Sequence, residues 1–186
     1  MDHLWSPWRL AYITGTGQAT GCVFCPSTRQ ESSARSGQAS AGVEQALSQP
    51  EQIPDLESLI VFRGATCYVI LNLFPYNNGH LMVVPNRHIG SLAEATGEEL
   101  RELIELTRRA EIALGEAYEP QGLNMGINLG KPAGAGVLGH LHMHVVPRWN
   151  GDTNFMTVVG QTRVLPEELS TTATRLRPIF ERLAVT

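Results

Sequence analysis

The sequence predicts an α+β domain framed by a five-stranded, mostly antiparallel sheet. Five apolar runs have strand length and are bounded by turns rich in Gly, Pro and Asn. One stretch between them switches to a recurrence of three to four residues, the period of a helix. A second amphipathic stretch closes the chain. No internal repeat interrupts this order, so residues 1–186 are expected to form a single domain.

The elements follow in chain order. Residues 27–52 are rich in Ser, Gln, Ala and Gly and almost lack large apolar side chains, which predicts a flexible insert too poor in buriable surface to order itself. Leu59–Phe62, Cys67–Leu73 and His80–Val84, separated by Gly64 and by Pro75-Tyr76-Asn77-Asn78-Gly79, predict an antiparallel meander. From Ser91 to Tyr118, Leu92, Leu100, Leu103, Leu106, Ala110, Ala113 and Leu114 recur at helical spacing, and Thr96 with Glu99 forms a capping box. Leu123–Leu129 and Gly139–Val146 are again strand-like, on either side of the turn-rich Gly130–Gly136 segment. Pro166, Glu167 and Glu168 are helix-start residues. Leu176, Ile179, Phe180 and Leu183 then share one face, predicting a C-terminal helix over 166–184.

Composition excludes several functions. Fourteen Lys and Arg against eighteen Asp and Glu leave a net charge of −4, so no cationic surplus exists to track a nucleic-acid polymer or an anionic membrane. The apolar runs fall well short of the roughly 20 residues of a membrane span, and the first residues lack a secretory pattern, which predicts a cytoplasmic protein. Three cysteines cannot complete a disulfide framework, and Cys22-Val-Phe-Cys25 has the spacing of a metal or redox pair.

Three of the six histidines lie within five residues, His140-Leu141-His142-Met143-His144. On a strand these imidazoles share one face, about 6.6 Å apart, while Leu141, Met143 and Val145 face apolar packing. A His-rich solvent face or a purely structural metal site would also give this pattern. Against the first, solvent faces are usually written with Lys, Glu or Thr. A neutral imidazole nitrogen is a good nucleophile toward phosphorus when its partner nitrogen is held by a fixed acceptor, and flanking imidazoles can stabilise the charge that grows on phosphate oxygens. The middle residue, His142, is best placed for attack.

His140–Arg148, together with Gly79-His80-Leu-Met-Val-Val-Pro85-Asn-Arg-His88, resembles the histidine triad (HIT) signature of nucleotide hydrolases and transferases. Trp5-Ser-Pro-Trp-Arg9, Asn72–Gly79 and Trp149-Asn-Gly-Asp152-Thr-Asn154-Phe155 resemble the bacterial diadenosine tetraphosphate phosphorylase (ATP adenylyltransferase) branch of that family. The resemblance implies a HIT-like fold and a nucleotidyl-imidazole intermediate on His142, with His140, His144 and His80 completing the catalytic set. It implies that Asn72 binds ribose and Asn128 contacts the phosphate, with Asn154 also among the substrate-binding residues. It further implies subunits paired through their sheets, as a homodimer or higher homo-oligomer.

Where the commoner triad pattern has Gln followed by Ser or Thr, Gly136 and Val137 stand. That leaves room for inorganic phosphate beside the nucleotide, near Gly134, Gly136 and Lys131, the chain's sole lysine. Zinc-bearing relatives place metal ligands at positions matching Cys22, Cys25, His88 and His140, which implies a structural zinc and no organic cofactor. Arg9 and Arg148 fit phosphate contacts or ordinary ion pairs equally well. A phosphorylase, a hydrolase using water on the same intermediate, and a non-catalytic nucleotide-binding module are the three functions these residues admit. The first is favoured by the Trp-Ser-Pro-Trp-Arg start, the missing Gln and the Gly-Asp-Thr-Asn-Phe segment.

Overall fold

The structure, a computed structural model, describes residues 22–25, 56–152 and 167–185. The predicted insert at 27–52, the Trp5–Arg9 segment, Asn154 and Pro166 lie outside them. The strands are β1 (Ile60–Arg63), β2 (Cys67–Leu71), β3 (Leu81–Pro85), β4 (Gly122–Ile127) and β5 (Met143–Arg148). They form one sheet in the order β1-β2-β3-β5-β4, with every neighbouring pair antiparallel. The helices are α1 (Leu56–Leu59), α2 (Gly97–Tyr118) and α3 (Leu169–Ala184).

Alternation sorts the central strands into two faces. Cys67, Val69 and Leu71 of β2 pair with Pro85, Val83 and Leu81 of β3, and the last two pair in turn with Met143 and Val145 of β5. The Cys67 thiol donates to the Glu99 carbonyl oxygen of α2, so this face is the helix face. There α2 packs across β2, β3 and β5, burying Leu103, Leu106, Ala110, Ala113 and Leu114. Each buried leucine contributes about 1.5–3 kcal/mol of apolar burial. The opposite face carries the row Ile70–Met82–His144–Gly126 across β2, β3, β5 and β4. The predicted alternation of β5, with Met143 and Val145 inward and the imidazole outward, is therefore observed.

Several element boundaries differ from the sequence expectation, and those beside the site have local reasons. Leu59 closes the one-turn α1 instead of opening β1, because Leu56 and Leu59, three residues apart, both bury in the core. The long helix begins at Gly97, where the Thr96–Glu99 capping box places its start, although the apolar periodicity reaches back to Ser91. The Thr96 hydroxyl accepts from the Glu99 N–H at 3.2 Å and the Glu99 carboxylate accepts from the Thr96 N–H at 2.7 Å, while Leu92 sits exposed in a 3-10 turn over Leu92–Glu94. The last strand begins at Met143, not Gly139. Gly139 adopts φ +79, and the Leu141 N–H leaves the ladder to reach the Ile89 carbonyl at 2.6 Å.

Two contacts set the turns around the site. The Glu102 carboxylate of α2 accepts from the N–H groups of Ala65 and Cys67, each at 2.8 Å, and from the Thr66 hydroxyl at 2.5 Å, pinning the β1–β2 turn to the helix. Gly79 precedes His80 with φ +73, and a Cβ there would stand 2.8 Å from Leu114 Cδ2. Only glycine fits both the backbone and the helix beneath it.

Candidate active site

The predicted histidines converge at the β3–β5 junction, where they divide between two neighbouring sites. His142 and His144 line a cleft of about 160 Å³ together with Phe24, Ile70, Asn72 and Tyr76. Their rings are 4.8 Å apart and nearly perpendicular. His140 meets the Cys22–Cys25 turn beside the cleft. Its Nδ1 lies 3.2 Å from Cys22 Sγ and 3.6 Å from Cys25 Sγ, and its Nε2 is 2.9 Å from the Pro85 carbonyl oxygen. His142 and His144 line the cleft, while His140, whose ring packs on the same Phe24 as that of His142, meets the cysteines.

Hydrogen bonds assign the tautomers. His142 Nδ1 donates to the His140 carbonyl oxygen at 2.8 Å, so Nε2 is the unprotonated nitrogen. Burial holds the His142 pKa below its ordinary value, and the bond to the His140 carbonyl opposes that shift only in part. The ring therefore favours the neutral form that a nucleophile needs. The Tyr76 N–H donates to His80 Nδ1 at 3.1 Å, which places the His80 proton on Nε2. From there it is donated to His144 Nδ1 at 3.0 Å, leaving Nε2 as the protonated nitrogen of His144. Asn72 Nδ2 also lies 3.5 Å from His80 Nε2. The Phe74 N–H fixes the Asn72 amide by donating to Oδ1 at 2.9 Å, so Nδ2 is a donor facing a donor, and His144 remains the acceptor.

Cys22, Cys25, His88 and His140 bring four ligand atoms within 4.8 Å of one another. Cys25 Sγ lies 3.4 Å from His88 Nδ1. Sulfur–nitrogen separations of 3.2, 3.4 and 3.6 Å match the tetrahedral edge of about 3.5 Å that Zn–S and Zn–N bonds of roughly 2.3 and 2.0 Å require. The Pro85 carbonyl takes the His140 Nε2 proton and leaves Nδ1, the nitrogen facing the sulfurs, as the ligand atom. Burial first, and then the neighbouring Cys22, push the Cys25 thiol up to about 11, a shift that a cation between the donors would reverse. The residues present fit a closed two-thiolate, two-imidazole zinc site.

The remaining predicted residues are placed less directly. Gly134 and Gly136 line the cleft, while Lys131 is exposed on a 3-10 turn over Lys131–Ala133. The N–H groups of Gly134 and Ala135 donate within the loop to the carbonyls of Lys131 and Gly130 at 3.0 and 3.3 Å. Asn128 is half-buried one residue beyond β4 and is not among the cleft-lining residues. Arg148 forms an ion pair with Asp152 and donates to Asn124 Oδ1 at 2.9 Å.

Two contributors escaped the sequence reading. Phe24, between the cysteines, packs its ring 5.5 Å from His140 and 5.2 Å from His142, and its carbonyl accepts from the Tyr68 hydroxyl at 2.9 Å. Tyr76 stacks on His80 with ring centroids 5.0 Å apart and planes 17° from parallel. An aromatic residue in each of two short turns was the available signal.

The HIT domain family model matches residues 54–151, more than half of the chain. The chain belongs to the HIT domain family. It is 40% identical over 172 residues, 92% of this chain and 80% of the relative, to AP-4-A phosphorylase of Mycobacterium tuberculosis. A bis(5'-adenosyl)-triphosphatase of Dictyostelium discoideum is 29% identical over 131 residues, covering 67% of this HIT chain and 87% of the relative. Among solved structures, a Zn-bound histidine triad family protein from Mycobacterium smegmatis superposes with a TM-score of 0.56 at 26% identity, covering 68% of this chain and 86% of that one.

Proposed function

We infer that this HIT protein is a diadenosine tetraphosphate phosphorylase that cleaves its substrate with inorganic phosphate to ATP and ADP. The observation that carries the reading is His142, whose Nδ1–H is held by the His140 carbonyl so that a neutral Nε2 stands in the cleft beside His144. The likeness to the mycobacterial AP-4-A phosphorylase over 92% of the chain supports the same branch. His142 Nε2 attacks the α-phosphorus of one adenylate. The P–O bond to the remaining triphosphate breaks, its electron pair leaves with ATP, and adenylyl-imidazole remains on His142. A phosphate oxygen then attacks the same phosphorus, the P–N bond breaks, and ADP leaves with the imidazole restored. The protonated Nε2 of His144 donates to the phosphate oxygens that gain charge in both steps. Asn72, on the wall of the cleft, binds the ribose hydroxyls. Asn128 and Asn154 are carried over from the family pattern as further substrate contacts.

Gly134 and Gly136 leave the cleft open where a Gln side chain would stand in the commoner pattern, and Lys131 adds a positive charge to that loop, so phosphate binds there. Zinc held by Cys22, Cys25, His88 and His140 fastens the Cys22–Cys25 turn, and Phe24 with it, against the triad. With four protein ligands the ion has no open position and is structural. His140 accordingly serves as a zinc ligand and, through its carbonyl, as the group that orients His142. β4 is an edge strand with Met125 exposed, which supports pairing with a second copy in a homodimer or higher homo-oligomer. Among the described residues no helix is long and apolar enough to cross a membrane. We place the enzyme in the cytoplasm, acting on free nucleotides.

The test is phosphate dependence. Diadenosine tetraphosphate incubated with the protein and inorganic phosphate yields ATP plus ADP, and turnover stops when phosphate is withheld. ATP plus AMP formed at full rate without phosphate would assign the protein to the hydrolases.

A further inference from the structure

Asp152 closes a short ring of contacts behind His80. Its Oδ2 accepts from Asn77 Nδ2 at 2.8 Å, from Arg148 Nε at 2.5 Å and from the Trp149 N–H at 3.3 Å, and its Oδ1 accepts from Arg148 Nη2 at 2.8 Å. The Asp152 side chain is only 10% exposed. Asn77 Nδ2 also donates to the Pro147 carbonyl at 2.9 Å, so the two amide protons of Asn77 both end on the segment that follows the triad. The Asn77 carbonyl in turn accepts the His80 N–H at 3.2 Å. Its neighbour Tyr76 supplies the N–H that meets His80 Nδ1.

We propose that Asp152 is a positioning residue for phosphoryl transfer: by fixing Asn77 it holds the Tyr76 N–H on His80 Nδ1 and so keeps His144 a proton donor. The proposal rests on the phosphorylase reading for the identity of the reaction, and not for the tautomers. The two imidazoles act as a pair. While the Tyr76 N–H points at Nδ1, His80 donates from Nε2 and His144 accepts at Nδ1, leaving its Nε2 protonated. If the 76–79 turn relaxes, His80 can carry its proton on Nδ1. Its Nε2 then becomes an acceptor, His144 must donate from Nδ1, and His144 Nε2 loses the proton it presents to phosphate. One carboxylate outside the triad thus selects between a donor and an acceptor at the reacting group. No atom of Asp152 need touch substrate.

The experiment reads the tautomers of His80 and His144 by imidazole nitrogen-15 NMR, alongside steady-state kinetics with diadenosine tetraphosphate and inorganic phosphate. In the wild-type protein both rings are Nε2–H. In Asp152→Ala the His80 signal moves toward Nδ1–H, and kcat falls about 10- to 100-fold while KM changes by less than about threefold. Asp152→Asn, whose amide oxygen still accepts from Asn77, restores both readouts. Asn77→Ala breaks the same link from the other end and reproduces the loss, which keeps the test decisive if Asp152→Ala does not fold. Wild-type tautomers and kcat in Asp152→Ala, or in Asn77→Ala, would overturn the proposal, as would a failure of Asp152→Asn to restore the tautomers. If the protein proves not to be phosphate-dependent, the nitrogen signals still decide the role of Asp152, because they require no substrate.

Discussion

His142 Nδ1 stands 2.8 Å from the carbonyl oxygen of His140, so the first histidine of the triad orients the second through its backbone while its own ring faces two thiols. A substitution of the His140 side chain therefore leaves the group that fixes the nucleophile in place, whereas a substitution of His142 removes the nucleophile itself.

His142→Ala is expected to lower kcat roughly a thousandfold or more, because no other side chain replaces the covalent intermediate. Nucleotide binding, followed by calorimetry, is retained. A variant that keeps a tenth of wild-type turnover would remove His142 from the nucleophile's role.

Metal analysis of protein purified under reducing, chelator-free conditions should find about one zinc per chain. Cys22→Ser should lose it and lower Tm by more than about 5 °C, since binding at a closed site is also folding free energy. Negligible metal in the wild-type protein would dismiss the four-ligand site despite donor atoms lying within 4.8 Å of one another.

Lys131→Ala should raise the apparent KM for phosphate severalfold and alter that for the dinucleotide much less. Lys131 sits on the exposed turn that leads into Gly134 and Gly136 at the cleft, so its charge acts on the second anion. Equal changes in both constants would move the phosphate site elsewhere.

The start of α2 predicts a pH dependence of stability. Hydrogen bonds from the Arg87 guanidinium first, and then from the Thr96 N–H, hold the Glu99 carboxyl down at about 2. A depressed pKa stabilises the fold above the ordinary carboxylate range, about 4.3, and that contribution fades as pH falls toward 2. Glu99→Gln should therefore be less stable than wild type to urea at about pH 7, and the two unfolding midpoints should converge as the buffer is taken from about pH 5 downward. A gap independent of pH would show that packing, not charge, carries the effect of Glu99.

Much of this was legible in the sequence because the governing contacts are local. Thr96 and Glu99 lie three residues apart and mark the helix start, and the alternation of Leu141, Met143 and Val145 marks the buried face of β5. His80 and His88 were found through the motif that spaces them from Pro85. What escaped depends on backbone direction or on long-range pairing. A two-residue period groups His140 with His142 and His144, but it does not announce that His140 meets the cysteines, which lie 118 and 115 residues away in the chain. Asn77 and Asp152 are 75 residues apart, and nothing local to either announces their bond. The small residues of the Gly130–Gly136 segment leave room for a phosphate in the sequence, but composition does not show that two of the loop's N–H groups are satisfied by carbonyls of the same loop.

The four candidate zinc ligands also carry a timetable. Cys25 precedes His88 by 63 residues and His140 by 115. At about 5–20 residues per second, a ribosome delivers the last of them roughly 6–23 s after the thiols. Through that interval the nascent chain exposes a Cys-x-x-Cys pair that can be oxidised or can capture a stray soft metal. The segment that ends the wait also brings His142. A chain released early thus lacks its clasp and its nucleophile together, and the reactive imidazole joins the molecule when every residue lining its cleft except His144 is already made.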